Sequence, residues 1–370
     1  MSETLTLELD DFQDEYWRRG WTDGLPVVAP TEPLVRAMLE AGGLEPDELL
    51  GAVPARGKVV SAHTAAVNAV MAGCLPEYFP VVLAATGAAL DPAMNIHSIS
   101  SSTGGSALCV IVSGPVTKQI EMNATRNVLG GGNRANSTIG RALRLMLVNA
   151  LGSRVGEMDG SVLGTPAKFS LCLAEDDPPA PWTPLRVDLG YAVTDSTVTV
   201  ASTEAPRVVS NHLARSGEEV ARSLVTAIRN PATFSTGKSA QAIIVVGPQH
   251  ADILRADGWT KDDLRAFLVE NTRITLDELA EAGLRADTAA SGVQVPQVPG
   301  VDGRLATIRS AADAHILTAG GTGAGVSAYF STWPTVHTVA VTRPVHAPDS
   351  SPLTCTDDVC AVPSFLLEEK

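Results

Sequence analysis

Apolar residues recur every three or four positions in several parts of the chain, a period typical of helices with one buried face. The clearest case is residues 139–150, which follow the glycine-rich run LGGGNRANST. Thr31 and Pro33 are suited to begin another helix, as N-cap and first-turn residues. The helices predicted in this way cover residues 32–41, 59–90 as a packed pair, 139–150, 217–229, 250–254 and 261–270.

Short apolar or alternating runs between these helices predict strands. The predicted strands cover residues 107–114, 197–202, 242–247, 314–319 and 336–345. Because strands alternate with helices, we expect an α/β fold with two lobes, in which mixed or parallel sheets are flanked by helices. The expected division is an N-terminal domain at 1–205, a C-terminal α/β domain at 206–345 and a flexible tail at 346–370.

The run LGGGNRANST at residues 129–138 leads directly into one predicted helix. Glycines let the backbone approach a ligand closely, and the free N–H groups of a first helical turn attract negative charge. We expect Asn136 or Ser137 to cap the helix, and Arg134 and Arg141 to offer guanidinium groups to a carboxylate or phosphate. A tight turn with solvated arginines is the alternative. The predicted site for a small anionic ligand comprises Gly131, Gly132, Asn133, Arg134, Asn136, Ser137, Thr138, Arg141, Ser101 and Gly321.

Ser101 belongs to a Ser/Gly-rich segment that begins at His97 and enters a predicted strand. Histidine is the commonest general acid–base, so His97 is a catalytic candidate, although a lone histidine is more often structural. Gly321 lies in a second glycine loop, GGTGAG at residues 320–325, which does not match the nucleotide-binding fingerprints. Lys168 is a candidate second cation, with a solvated lysine as the default.

Asp23, in the segment WTDGLP at residues 21–26, is expected to form an Asx turn. A carboxylate that enters a site is the alternative interpretation.

The chain has 370 residues, of which 45% are hydrophobic and 18% charged, as in ordinary globular proteins. Its formal charge of −14 argues against nucleic acid or an anionic membrane as partner, because either requires a basic face. The first residues are acidic and lack the pattern of an export signal, and no long apolar run is present, so we expect a cytoplasmic location.

The five cysteines are too few and too scattered to form a disulfide framework. Cys74, Cys109 and Cys172 lie in apolar runs and are expected to be buried. Cys355 and Cys360 are separated by four residues in the proline-rich tail, where they are candidates for thiol chemistry or, with a nearby histidine, for binding a metal. The absence of any role is the remaining alternative.

Several motifs resemble those of a bacterial family whose members mostly have no assigned function. Residues 20–31 are similar to GW(T/S)DGLPVVPPT, with Ala29 in place of a proline, and residues 68–85 to NAVMAGCxPEYxPVVLAA. Residues 130–145 are similar to GxGxRANATIGRALRL, with Ser137 in place of alanine. Genes of that family often lie beside those of proteins with a UGSC or CGSC motif, so the resemblance implies a thiol- or selenol-linked reaction in a two-component enzyme, with such a protein as partner. The dicysteine tail departs from the family pattern.

These observations predict an enzyme of lyase or hydrolase type that acts on a small anionic metabolite by addition, elimination or hydrolysis. The enzyme would be homo-oligomeric, and the tail thiols are candidates to assist its reaction. No motif identifies a cofactor. The alternatives are a metal-binding redox or accessory subunit that uses the tail cysteines, and a ligand-binding scaffold without turnover.

Overall fold

The computed structural model describes residues 12–230, 233, 235–284, 300, 302–334 and 338–346. Its helices are α1 (Phe12–Arg18), α2 (Glu32–Gly42), α3 (Ala62–Ala72), α4 (Phe79–Leu90), α5 (Ile96–Ser101), α6 (Val116–Gln119), α7 (Arg134–Asn149), α8 (Leu185–Asp188), α9 (Gly217–Ile228), α10 (Pro248–Ala256), α11 (Lys261–Asn271) and α12 (Leu276–Glu281). Its strands are β1 (Leu49–Val53), β2 (Lys58–Ser61), β3 (Ala107–Ser113), β4 (Cys172–Ala174), β5 (Thr197–Thr203), β6 (Arg207–Ser210), β7 (Ala242–Val246), β8 (Ile274–Thr275), β9 (Arg304–Leu305), β10 (Ala314–Thr318), β11 (Val326–Ser331) and β12 (Val341–Pro344).

Two four-stranded sheets form the centre of the fold and share one strand pattern. The first has the order β12-β5-β3-β4, and the second has the order β10-β7-β11-β6. Each contains a single parallel pair, β3 with β4 and β7 with β10, and its other neighbours are antiparallel. This arrangement confirms the α/β class with mixed sheets and flanking helices.

The inner faces of the two sheets pack against each other. Cys109 and Ile111 of β3 share one apolar cluster with Ile243 and Val245 of β7. The alternate residues of each strand face helices instead, so that Val110 belongs to the cluster formed with α2, α3, α4 and α7. Helices α9, α10 and α11 cover the outer face of the second sheet. Strands covered on both faces become uniformly apolar, which explains the continuous apolar runs in the sequence.

The structure confirms most predicted elements and corrects the last one. The pair of helices expected within residues 59–90 corresponds to α3 and α4, and the strand expected at 107–114 corresponds to β3. The strand expected at 336–345 is shorter, because β12 covers only Val341–Pro344. It pairs with β5 of the first sheet, so this strand of the predicted C-terminal domain returns to the N-terminal half. The three cysteines expected to be buried are buried and free.

A buried ionic network lies where β4 ends. The carboxylate of Glu175 accepts hydrogen bonds from Ser113 Oγ at 2.5 Å and from the backbone N–H of Leu185 at 2.8 Å. Burial raises the pKa of Glu175 to about 7, even though these hydrogen bonds favour the charged form. Arg186, almost fully buried, donates to Ser113 Oγ and pairs with both oxygens of Asp177. The network covers one end of the first sheet with fully hydrogen-bonded polar groups.

Candidate functional site

The glycine loop, residues 129–133, leads into helix α7, but its polar side chains bind other parts of the protein. Helix α7 begins at Arg134 and is capped by Asn133, whose Oδ1 accepts a hydrogen bond from the backbone N–H of Asn136 at 3.0 Å. The expectation that Asn136 or Ser137 caps the helix is therefore wrong, because the helix begins before its apolar pattern does. The side-chain amide of Asn136 is buried and bonds the backbone of Asn123.

Arg141, predicted to bind an anion, is committed to an ion pair within the protein. Its Nε and Nη2 donate to the two carboxylate oxygens of Asp23, both at 2.8 Å, and only 3% of the Asp23 side chain is exposed. Nη2 also donates to the carbonyl oxygen of Pro26. This corrects the expected role of Arg141, whose bidentate contact holds residues 21–26 against α7. Arg134 donates from Nε to the carbonyl oxygen of Gly73, and the residue is otherwise exposed.

The other residues of the predicted anion site also have structural partners. Thr138 Oγ1 donates to the carbonyl oxygen of Arg134, and the carbonyl oxygen of Ser137 accepts from Ser170. Gly321 packs so closely on Arg126 that a Cβ atom there would lie 2.2 Å from the arginine Cγ. Gly131 and Gly132 are exposed. Anion binding by the remaining exposed groups of the loop stays a prediction.

The structure places His97 and Ser101 in helix α5. The Nδ1 of His97 accepts a hydrogen bond from Arg56 Nε at 3.1 Å, and Ser101 Oγ donates to the carbonyl oxygen of His97 at 2.8 Å. The catalytic role expected of His97 stays a prediction. Cys355 and Cys360 lie outside the described residues.

A large open cleft of about 730 Å³ lies instead between α1, α7 and the segment that follows α7. We call it the Asp159 cleft. It is lined by Trp17, Gly20, Thr22, Asp23, Gly24, Arg144, Val148, Arg154, Val155, Glu157, Asp159, Ser161, Leu163, Gly164, Thr165, Pro166, Lys168 and Phe169. A smaller cavity of about 30 Å³ adjoins it, and the two share Arg144, Asp159 and Lys168. The small cavity is large enough for one or two water molecules by volume.

Asp159 forms the polar centre of the cleft. Both of its carboxylate oxygens accept hydrogen bonds from Lys168 Nζ at 2.8 Å, and Oδ2 also accepts from Arg144 Nη2 at 3.2 Å. Ser161 Oγ lies 2.5 Å from Asp159 Oδ1 and 2.5 Å from Lys168 Nζ. Only 3% of the Asp159 side chain and 18% of the Lys168 side chain are exposed. A hydroxyl, an amine and a carboxylate are thus in mutual contact at the wall of an open cleft.

Burial and ionic contacts act in opposite directions on these groups. Burial alone raises the pKa of Asp159, but the hydrogen bonds from Lys168 and Ser161 outweigh it and the pKa lies below its usual value of 3.8. Burial lowers the pKa of Lys168 below 10.5, and its contact with Asp159 offsets only part of this effect. A lysine with a lowered pKa is a better proton acceptor near neutral pH, because more of it is neutral.

Arg154 is a different kind of cation in the same cleft. Its Nε is buried and has no hydrogen-bond partner, and none of the acidic groups within the described ranges pairs with its guanidinium. The backbone keeps it near the centre of the cleft, since the N–H of Asp159 donates to the carbonyl oxygen of Arg154 at 2.9 Å. Arg154 therefore offers an unneutralised positive charge to an anion.

Sequence analysis did not identify this site as a whole. It named two residues that line it, Lys168 as a candidate cation and Asp23, in the alternative interpretation, as a carboxylate that enters a site. Asp159, Ser161 and Lys168 lie in an irregular segment between α7 and β4, where no helical or strand period marks a face. One usable signal was present, since Val162, Leu163 and Phe169 are large apolar residues in a segment rich in glycine.

Comparison with models of known protein families gives no match, and comparison with curated proteins gives none either. In the part of the chain that the structure describes, no three His, Cys, Asp or Glu side chains are grouped so as to hold a metal ion. No helix there is both long and apolar enough to cross a membrane.

Proposed function

We propose that this protein is a hydrolase that cleaves an ester or amide of an anionic substrate in the Asp159 cleft, with Ser161 as nucleophile. The observation that carries the proposal is the contact of Ser161 Oγ with both Lys168 Nζ and Asp159 Oδ1, each at 2.5 Å. A nucleophile bonded to a base, which a third group orients, is the arrangement shared by enzymes that form acyl intermediates.

In this mechanism Lys168, whose ammonium group donates to Ser161 Oγ in the structure, first loses a proton to solvent. The neutral amine then accepts the hydroxyl proton of Ser161 while the serine oxygen attacks the substrate carbonyl carbon. The leaving group departs with a proton returned by Lys168, which leaves an ester on Ser161. Water then attacks that ester, with Lys168 again accepting a proton, and the acid product is released as the serine hydroxyl re-forms. Asp159 orients Lys168 throughout, and Arg144 fixes the position of Asp159 through its hydrogen bond.

The substrate is anionic in this proposal because Arg154 is unneutralised in a protein whose formal charge is −14. A local cation must overcome an unfavourable overall field, and a guanidinium group is suited to a carboxylate or phosphate. Addition or elimination, which the sequence also allowed, would use Lys168 as a base without Ser161. The position of the serine hydroxyl therefore favours hydrolysis.

The free buried thiols fit a reducing compartment, so we propose a cytoplasmic location. A homo-oligomeric state and a partner protein with a UGSC motif remain proposals that rest on the sequence.

The test is hydrolysis of two 4-nitrophenyl esters, the anionic monosuccinate and the neutral acetate. We expect Ser161→Ala to lower kcat/KM for the monosuccinate by about 10²–10⁴-fold, as for the loss of a catalytic group. Ser170→Ala is the matched control, because Ser170 lies in the same segment but donates to the carbonyl oxygen of Ser137 and contacts no base. Equal activity of wild type and Ser161→Ala would refute the proposal.

A further inference from the structure

The lining of the Asp159 cleft includes four large apolar side chains that are unusually exposed, which we call its apolar rim. Trp17 of α1 is 63% exposed, and from the segment after α7 Val155 is 82%, Leu163 96% and Phe169 47% exposed. All four line the cleft, although two separate parts of the chain contribute them. Single exposed apolar residues are ordinary, but several around one concave surface indicate a ligand or partner.

The cleft is also larger than a small acid requires. Its volume of about 730 Å³ lies within the range of about 300–1,000 Å³ typical of sites for drug-sized ligands. An anion of two or three carbon atoms at Arg154 would leave the apolar rim in contact with water. The volume of the cleft and its exposed apolar side chains together point to a ligand with a substantial apolar part.

Most of the charged and apolar features lie in one short segment, residues 154–169, and face residues 17–24 across the cleft. Arg154 is adjacent to Val155 in the chain, and a Cβ atom at Gly20 would lie 3.5 Å from Arg154 Nε, so the absence of a side chain at Gly20 leaves room beside the guanidinium. The polar centre at Asp159 belongs to the same segment. A ligand in the cleft thus meets an unpaired cation, a polar centre and an apolar rim.

We propose that the substrate is an amphipathic anion, in which a carboxylate is joined to an apolar body of the size of an aromatic ring or a medium-length acyl chain. The carboxylate binds Arg154, and the apolar body packs on Trp17, Leu163 and Phe169. This inference rests on the proposed function only in placing the scissile carbonyl beside Ser161.

Calorimetric titration of the full chain with butanoate, hexanoate and octanoate tests the inference, with hexanamide as the neutral counterpart. Each added pair of methylene groups should strengthen binding about tenfold, as expected when most of their apolar surface leaves water. Leu163→Ser should reduce this dependence on chain length. Arg154→Gln should weaken hexanoate binding while leaving hexanamide binding unchanged.

Leu213→Ala is the matched control, because Leu213 is 85% exposed but does not line the cleft. Equal affinity for the three acids in the wild type would overturn the inference. So would a change of oligomeric state in Leu163→Ser, measured by light scattering, with the dependence on chain length intact, because the rim would then be an interface between copies.

The outcomes also separate this inference from the proposed function. Selective binding of octanoate by a protein that hydrolyses neither nitrophenyl ester would support the ligand class and refute the hydrolase. Hydrolysis that depends on Ser161, with no dependence of binding on chain length, would support the hydrolase and refute the ligand class.

Discussion

Replacement of Asp159 by asparagine should destabilise the protein strongly, although the two side chains have the same shape. The two carboxylate oxygens of Asp159 accept hydrogen bonds from Lys168, Arg144 and Ser161. Asparagine keeps one acceptor oxygen and turns an N–H group toward donors, so at least one largely buried cation loses its partner. Breaking a buried pair from one side costs about 3–5 kcal/mol of unfolding free energy.

A double-mutant cycle isolates the ion pair. We expect urea denaturation of Asp159→Asn, Lys168→Met and the double variant to give a coupling free energy of about 1.5–3 kcal/mol, because removing both charges leaves only Arg144 without its partner. The cycle should be measured well above pH 4. Because the pKa of Asp159 is lowered in the folded state, the contribution of this carboxylate to the unfolding free energy is complete above pH 3.8 and is lost as the pH falls through the lowered pKa.

The exposed pair of Glu218 and Arg222 provides the control for this cycle. Their side chains are 56% and 65% exposed, so the same cycle with Glu218→Gln, Arg222→Met and the double variant should give a coupling free energy below about 0.5 kcal/mol. A coupling free energy for Asp159 and Lys168 as small as that of this surface pair would refute the argument that the cleft contains a buried, tightly coupled pair.

Three further predictions follow from the contacts and pKa shifts described above. The kcat/KM for the anionic ester should rise with pH and then level off. The midpoint of the rise should lie below pH 10.5, because the neutral form of Lys168 is the base and burial lowers its pKa; a rate independent of pH would contradict this. For Glu175 the folded-state pKa of about 7 exceeds the usual 4.5, so unfolding free energy should fall as the pH rises between these values, by roughly 3 kcal/mol at most, and Glu175→Gln should remove the fall in urea titrations. Arg141→Ala should lower the unfolding free energy by about 3–5 kcal/mol because it leaves Asp23 buried without its partner, and an unchanged stability would show that the pair contributes nothing.

The sequence predicted the fold class well because the hydrophobic pattern of each helix or strand lies within a short stretch of the chain. Helices such as α7 and strands such as β3 show their buried faces as periodic or continuous apolar residues. The return of β12 to the first sheet was not predictable in this way, since it pairs with a strand about 140 residues earlier in the chain.

The candidate site was less predictable because it depends on contacts between distant or irregular segments. Arg141 has the residue type and the position of an anion-binding group, but Asp23, 118 residues away, neutralises it. Arg154 looks like any surface arginine in sequence, and only the fold shows that no acidic side chain described in the structure pairs with it. Whether an arginine already has an acidic partner depends on tertiary contacts, which cannot be predicted from the spacing of residues along the chain.

The most direct test of the central claim is labelling of the full chain with a fluorophosphonate, which modifies activated serine hydroxyls, followed by peptide mass spectrometry. We predict that Ser161 is modified, that Lys168→Met slows this modification by at least about a hundredfold, and that Ser170→Ala leaves it unchanged. If Ser161 is not labelled in the wild type, or is labelled equally fast in Lys168→Met, then Ser161 is not a nucleophile activated by Lys168.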